Sequence, residues 1–566
     1  MKYPIISLLC ASGLAIALNV SPANARTRPK KQKEEPESSK TLRIPAKAFE
    51  NLKNSVSNVE LFTSNHGIIG LDIAQSQGGG FWPRGSGHNY IFGGGLWFGA
   101  KKVPRNSGSS DTVRLCVVSY EPNSGTSWMA PGPVSGTATQ QPTDITPQGI
   151  NRNRLYNSHD YSPQTGAPID PADLANGGPY WPIWDTKSHG TSRDQGYFGN
   201  YISDPSQRNA SSNPNGPAIL SGEDIFCVYR DNDLKRYGDI DSATAAKAGF
   251  PLGIQVEQTL YSWGFGAYAD IIFISYNVIN KSSDTLIECT IAPMMDFDVG
   301  KTANNDHAID VIPNLNEDSL LMAVQWSETE AVPLGYVGMK FLECPAPDDR
   351  GFIRHDQATY SQQERLGLSV FRRWTIDGDP STPMQRYDFI SDRSRRDMDL
   401  SVGDFRFMMG AGPFNMVPGD TARLVVALLF AMPNGKASGS FSSMKNIIEL
   451  GGFSQKVYNA NFQIPASVEY SIPSEHRAAI SIASIQPSII ARGGSASVKY
   501  SLEKSSSAAL AIVDIRGVEV YRASLGVQER GEHPATFETA GLPSGAYFCI
   551  IETADGAART KFMVGE

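Results

Sequence analysis

Histidine and cysteine are scarce in this chain of 566 residues, which has eight of the first and six of the second. No two histidines stand in HxH or HExxH spacing, and no CxxC pair occurs. Zinc hydrolases and thiolate zinc sites therefore have no footing. Cys10 lies in an apolar leader, which leaves Cys116, Cys227, Cys289, Cys344 and Cys549. An odd number cannot complete a disulfide framework. Cys289 with Cys344 is the pair to consider for oxidation; the alternative is buried free thiols acting as small apolar side chains. A basic stripe is also lacking. With a net charge of −8 and no stripe of Lys and Arg to neutralise phosphates, nucleic acid is excluded as a partner. Beyond the leader no apolar run reaches the length of a bilayer span, and residues 424–432 have the length of a strand. Nor is there a phosphate loop: Gly94 and Gly99 have the right separation, but Ala100 stands where Lys is required.

Glycine (53) and proline (36) are plentiful, clustered between short apolar runs. That is the punctuation of many strands joined by turns. The length calls for more than one domain. The expectation is a mainly β protein. It has a large multi-strand β-sandwich body with long loops and one notable helix, followed by a small C-terminal Ig-like β-sandwich.

Residues 1–25 have the pattern of a signal peptide: Lys2, an apolar stretch over 4–18, then Ala23, Asn24 and Ala25 as a small-x-small cleavage site. Residues 26–41 are charged and almost free of apolar side chains, as in a disordered linker. The body is expected over 42–462, as one or two sandwiches, with a linker at 463–481 and the C-terminal domain at 482–566.

Within the body, residues 81–102 interleave aromatics with glycines, which lets bulky strands pack closely; Trp82 and Trp97 would be sugar-stacking platforms if exposed. The long loops of 121–222 carry Trp128, Tyr180, Trp181 and Trp184 and are the first place to seek a binding surface. In residues 295–311, Asp296, Asp298, Asn305, Asp306 and Asp310 crowd one loop. Calcium wants six to eight hard oxygens, and alternating Asp residues can supply them. The metal ligands expected are Asp296, Asp298, Asp306 and Asp310. The same residues also suit Asx turns in an exposed loop. Asp296 and Asp298 form a weaker candidate for a glycosidase acid and base. A helix is expected over 440–461, interrupted by Gly451 and Gly452.

Residues 482–566 carry ordered blocks: Gln486-Pro487, then 496–502 (ASVKYSL), then Asp514, Arg516 and Gly517, then Gly545, Tyr547 and Phe548, then Lys561 in a closing strand. In this they resemble the type A C-terminal sorting domain of type IX secretion cargo of the Bacteroidetes. The resemblance implies an address formed by Asp514, Arg516, Gly517, Gly545, Tyr547 and Lys561. It further implies passage through the periplasm, engagement of the type IX machinery, and release or anchoring to surface lipopolysaccharide. Segments of the body, 82–101 and 270–286 among them, are similar to large uncharacterised secreted proteins with the same ending. The function expected is a secreted or cell-surface protein, non-catalytic, used in adhesion, matrix or envelope structure. The alternative is a carbohydrate-binding or carbohydrate-active extracellular protein with glycans as partners.

Overall fold

A computed structural model describes residues 50–565 apart from 104–111, 123–124, 126, 135–153, 176–178, 186–197, 234–243, 245–247, 301–306, 312–320, 328–333, 355–363, 394–402, 435–443, 463–479, 488, 503, 515–518 and 554–555. The expected signal peptide with Ala23 and Ala25, the expected charged linker, and Asn305, Asp306, Arg516 and Gly517 lie outside the described residues.

The chain is mainly β, and its body is built on two antiparallel sheets. The larger runs, edge to edge, through Tyr156–Asn157, Glu223–Arg230, Ile254–Ser262, Ile271–Asn280, Thr421–Ala431, Tyr336–Glu343, Met322–Trp326 and His307–Val311, with Ala130–Pro131 beside Glu223–Arg230. The smaller runs through Val370–Thr375, Phe405–Met416, Leu286–Asp296, Gly93–Lys102 and Val113–Val118. Side chains alternate across each strand. Ile272, Ile274, Tyr276, Leu424, Val426 and Leu428 of the larger sheet meet Leu96, Phe98, Ile291 and Phe407 of the smaller one in a shared core.

The outer faces are covered too. Ile271, Phe273, Val425 and Leu429 pack under the helix Lys445–Asn459, and Trp97, Met294 and Met408 pack under the helix Pro383–Ser391. Burial on both faces explains why these strands are continuously apolar rather than alternating. The result is four layers, helix, sheet, sheet, helix.

The first helix begins later than expected, at Lys445, and Gly451 and Gly452 lie within it instead of interrupting it. A Cβ on Gly451 would meet Met322 Sδ at 3.2 Å and Lys340 Cδ at 3.4 Å, so the glycine lets the helix lie close on the sheet. The second helix was not anticipated. Its start is a capping box: the Thr382 hydroxyl accepts from Gln385 N, Gln385 Oε1 accepts from Thr382 N, and Pro383 occupies the first turn. The glycines of 93–95 serve close packing, since a Cβ at Gly93 would lie 2.7 Å from the Tyr120 hydroxyl.

Residues 480–565 form a small two-sheet sandwich. One sheet holds Ile480–Gln486, Ser495–Leu502 and Gly531–Glu538. The other holds Ile489–Ile490, Gly556–Val564, Gly545–Thr553, Ser506–Asp514 and Glu519–Gln528. Its core is its own, built from Val498, Tyr500, Leu510, Ile512, Phe537, Ile551 and Phe562. It meets the body at a seam. Phe548 stacks on Phe265 with ring centroids 4.8 Å apart at 20°, and the Arg559 guanidinium donates to the Gly264 carbonyl at 3.1 Å.

All five described cysteines are buried free thiols. Cys289 and Cys344 are not bonded to each other, which corrects the considered disulfide. Burial pushes the Cys344 thiol up to about 12, so it stays protonated.

Candidate functional site: a buried acidic triad

Asp296 is not in a loop. It ends the strand Leu286–Asp296, in register with Gly93 on one side and Arg406 on the other. Alternation carries Met295, Phe297 and Val299 into the core and Met294 to the outer face, where Asp296 and Asp298 also fall. Backbone bonds extend the edge beyond the strand: Phe92 N donates to the Asp296 carbonyl at 2.8 Å, and Asp298 N to the Tyr90 carbonyl at 3.1 Å. Asp296 is 0% exposed and Asp298 2%, so exposed Asx turns do not describe them.

The third member is Asp404, just before the strand Phe405–Met416. One carboxylate oxygen from each of Asp296, Asp298 and Asp404 lies within 4.8 Å of the others. Calcium–oxygen bonds run to about 2.3–2.6 Å, so ligands on opposite sides of one ion stand roughly 5 Å apart. The donor set is all hard oxygen, without His or Cys, which suits calcium or magnesium and does not suit zinc. An aspartate triad that can hold a metal ion is therefore present, with Asp296 and Asp298 buried and Asp404 half-buried.

One guanidinium ties this triad to its surroundings. Arg406 Nε donates to Asp296 Oδ2 at 3.2 Å, and its Nη1 donates to Asp379 Oδ2. Trp374 Nε1 donates to the other Asp379 oxygen at 2.6 Å. Burial raises the Asp379 carboxyl above its ordinary value, and Arg406 opposes that rise. Beyond Asp379 a surface cleft of about 460 Å³ opens, lined by Arg372, Asp377, Asp379, Ser381, Gln385 and Phe389. An ion-paired, buried Asp296 has no access to a polysaccharide, so the glycosidase pairing with Asp298 is not supported.

The remaining expected residues fall elsewhere. Asp310 belongs to the strand His307–Val311 at the far edge of the larger sheet, not to the loop of Asp298. Trp82 and Trp97 are 4% and 0% exposed, buried in the core and under the Pro383–Ser391 helix, so neither is a sugar platform. Trp181 and Trp184 are buried as well, and Trp128 is covered by the Arg386 guanidinium at 4.2 Å. The loop tryptophans are packing, because large aromatics in a glycine-rich segment need apolar cover. In the C-terminal sandwich, Asp514 stands in register with Tyr547, and Lys561 with Phe548. The Tyr547 ring stacks on Phe562 at 5.7 Å, and its hydroxyl donates to the Pro543 carbonyl at 2.8 Å.

No family model matches the sequence, and no curated protein matches it. Among solved structures, one similar chain is the CARDB domain of a Pyrococcus furiosus protein in complex with di-metal ions. Identity is 13% over 15% of this chain and 89% of that one, with a TM-score of 0.13. Another is a polysaccharide lyase, at 9% identity over 55% of this chain and 34% of that one, with a TM-score of 0.15. A third is the BSP domain of a biofilm-associated protein, at 10% identity over 92% and 80%, with a TM-score of 0.15. At these TM-scores the likenesses carry no functional argument. No helix among the described residues is long and apolar enough to cross a membrane.

Proposed function

We propose that this is a secreted or cell-surface protein whose residues 482–566 are the export address read by the type IX secretion machinery. The four-layer body is then the non-catalytic cargo, serving adhesion, matrix or envelope structure. One observation carries the reading. The C-terminal sandwich closes its own core, separate from that of the body, and meets the body where Phe548 stacks on Phe265 and Arg559 donates to the Gly264 carbonyl, which supports a unit that can be engaged or removed without opening the body's core. Calcium on Asp296, Asp298 and Asp404 belongs to the same reading. It would cross-brace two strand ends of the smaller sheet, a stabilising role that an extracellular protein can rely on. The sugar-binding alternative loses its expected platforms with the burial of Trp82, Trp97, Trp181 and Trp184.

The test is transfer of the address. Residues 480–566 fused behind a signal peptide and an unrelated folded reporter should carry that reporter to the surface of a bacterium with a type IX system. Retention in the periplasm, with the fused sandwich folded, would refute the address. For calcium, the melting temperature of the whole chain should rise with the ion and fall with a chelator, and Asp404→Asn should remove the response.

A further inference from the structure

Asp296, Arg406 and Trp374 stand in one row across three neighbouring strands, Asp296 in register with Arg406 and Arg406 with Trp374. Asp379 is not part of that row. It follows the short helical turn Ile376–Gly378, outside the sheet, and its two oxygens accept from Trp374 Nε1 at 2.6 Å and from Arg406 Nη1. Arg406 Nε meanwhile donates to Asp296 Oδ2 at 3.2 Å. One guanidinium is thus shared between two carboxylates hidden from water, the Asp296 side chain being 0% exposed and that of Asp379 2%. Of the two, only Asp296 belongs to the triad with Asp298 and Asp404.

A cation at the triad and the Arg406 guanidinium compete for the charge of Asp296. Their repulsion is strong where water is excluded, because Coulomb energies grow as the effective dielectric falls. The Nη1 bond turns the far end of the guanidinium towards Asp379, an acceptor that takes no part in the triad. Given the metal reading of the triad, on which this rests, we propose that Asp379 is the positioning residue of that site. It draws the charge of Arg406 away from Asp296 and so lets the triad take a divalent cation of the calcium class. Coupling of this kind is reciprocal. The bound cation drives the guanidinium further onto Asp379, and the bond from Trp374 Nε1 places an indole where that change is felt.

The test is calcium binding to the full chain by isothermal titration calorimetry, in the wild type, Asp379→Asn and Asp377→Asn. Asp377 lines the same cleft and carries the same charge, but it is exposed and lies outside the ion pairs of Arg406. Asp379→Asn should weaken calcium binding by about tenfold or more, since the whole guanidinium charge then falls on Asp296. Asp377→Asn should weaken it by about twofold at most, its charge being screened by water and salt. In an Arg406→Met background, Asp379→Asn should bring no further loss, because it acts through Arg406. If Asp379→Asn does not fold, the wild type carries the test: calcium should change the tryptophan emission, and Trp374→Phe should remove that change. Equal affinities in the wild type and Asp379→Asn, an equal loss in Asp377→Asn, or an emission change that survives in Trp374→Phe would overturn the positioning role and leave the metal site standing. An intact chain that binds no calcium would overturn both.

Discussion

The strand Ile271–Asn280 of the body hides nearly every side chain, because a sheet covers one face and a helix the other. The strand Ser495–Leu502 of the C-terminal sandwich hides every second one: Ala496, Val498, Tyr500 and Leu502 point in, and Ser495 and Lys499 point out. The edge strand Glu519–Gln528 goes further and is exposed along most of its length. The contrast is between a structure sealed on both sides and one that keeps an accessible face. A body of the first kind holds buried charge in networks such as Asp296, Arg406 and Asp379. A sandwich of the second kind leaves surface for a receptor. Two separate cores joined by one seam are what an address attached to a cargo requires.

That comparison can be broken most forcibly at Arg406. Arg406→Met leaves Asp296 and Asp379 buried without their guanidinium, and should lower the stability of the body by about 3–5 kcal/mol in chemical denaturation. The melting of the C-terminal sandwich should not move. Next come matched core truncations. Leu428→Ala in the body and Ile512→Ala in the sandwich should each cost about 2–5 kcal/mol, each in its own transition only. A single merged transition that both variants shift equally would show one cooperative unit.

A smaller effect separates the two by pH. Lys340 is buried under the Lys445–Asn459 helix, and desolvation lowers its ammonium from 10.5 to about 8, whereas Lys499 of the sandwich is exposed. Between those two values the unfolded chain binds the proton that the folded chain has lost. Lys340 therefore makes the body more stable as the pH rises from about 8 towards 10.5. Lys340→Met should flatten that rise and stabilise the body at neutral pH by about 1–3 kcal/mol. The smallest effect belongs to the seam. Phe548→Ala should cost about 0.5–1.5 kcal/mol of coupling, seen as faster proteolysis between the two units with little change in either core.

The β class was legible in the sequence, because alternation and glycine–proline punctuation are local signals, as in 495–502 and 417–420. The layers were not. Continuous apolar strands such as Ile271–Asn280 look alike whether a sheet or a helix covers them, and only the fold supplies the Pro383–Ser391 helix as a lid. The capping box at Thr382, Pro383 and Gln385 is a local signal of that helix which the reading of the sequence passed over. Of the triad, Asp296 and Asp298 stood out by spacing, but Asp404 arrives through the pairing of Asp296 with Arg406, a register that no local pattern announces. The tryptophans misled for the opposite reason. They suggested a surface because their loops are polar, and they are buried because rings of that size recruit cover from distant strands.

The most direct measurement follows the chain lacking residues 482–566 beside the intact chain in a bacterium with a type IX system, by cell fractionation and by the melting of the body. The intact chain should reach the surface or medium, and the truncated one should accumulate in the periplasm with the body melting unchanged. Surface delivery of the truncated chain at the level of the intact one would contradict the account.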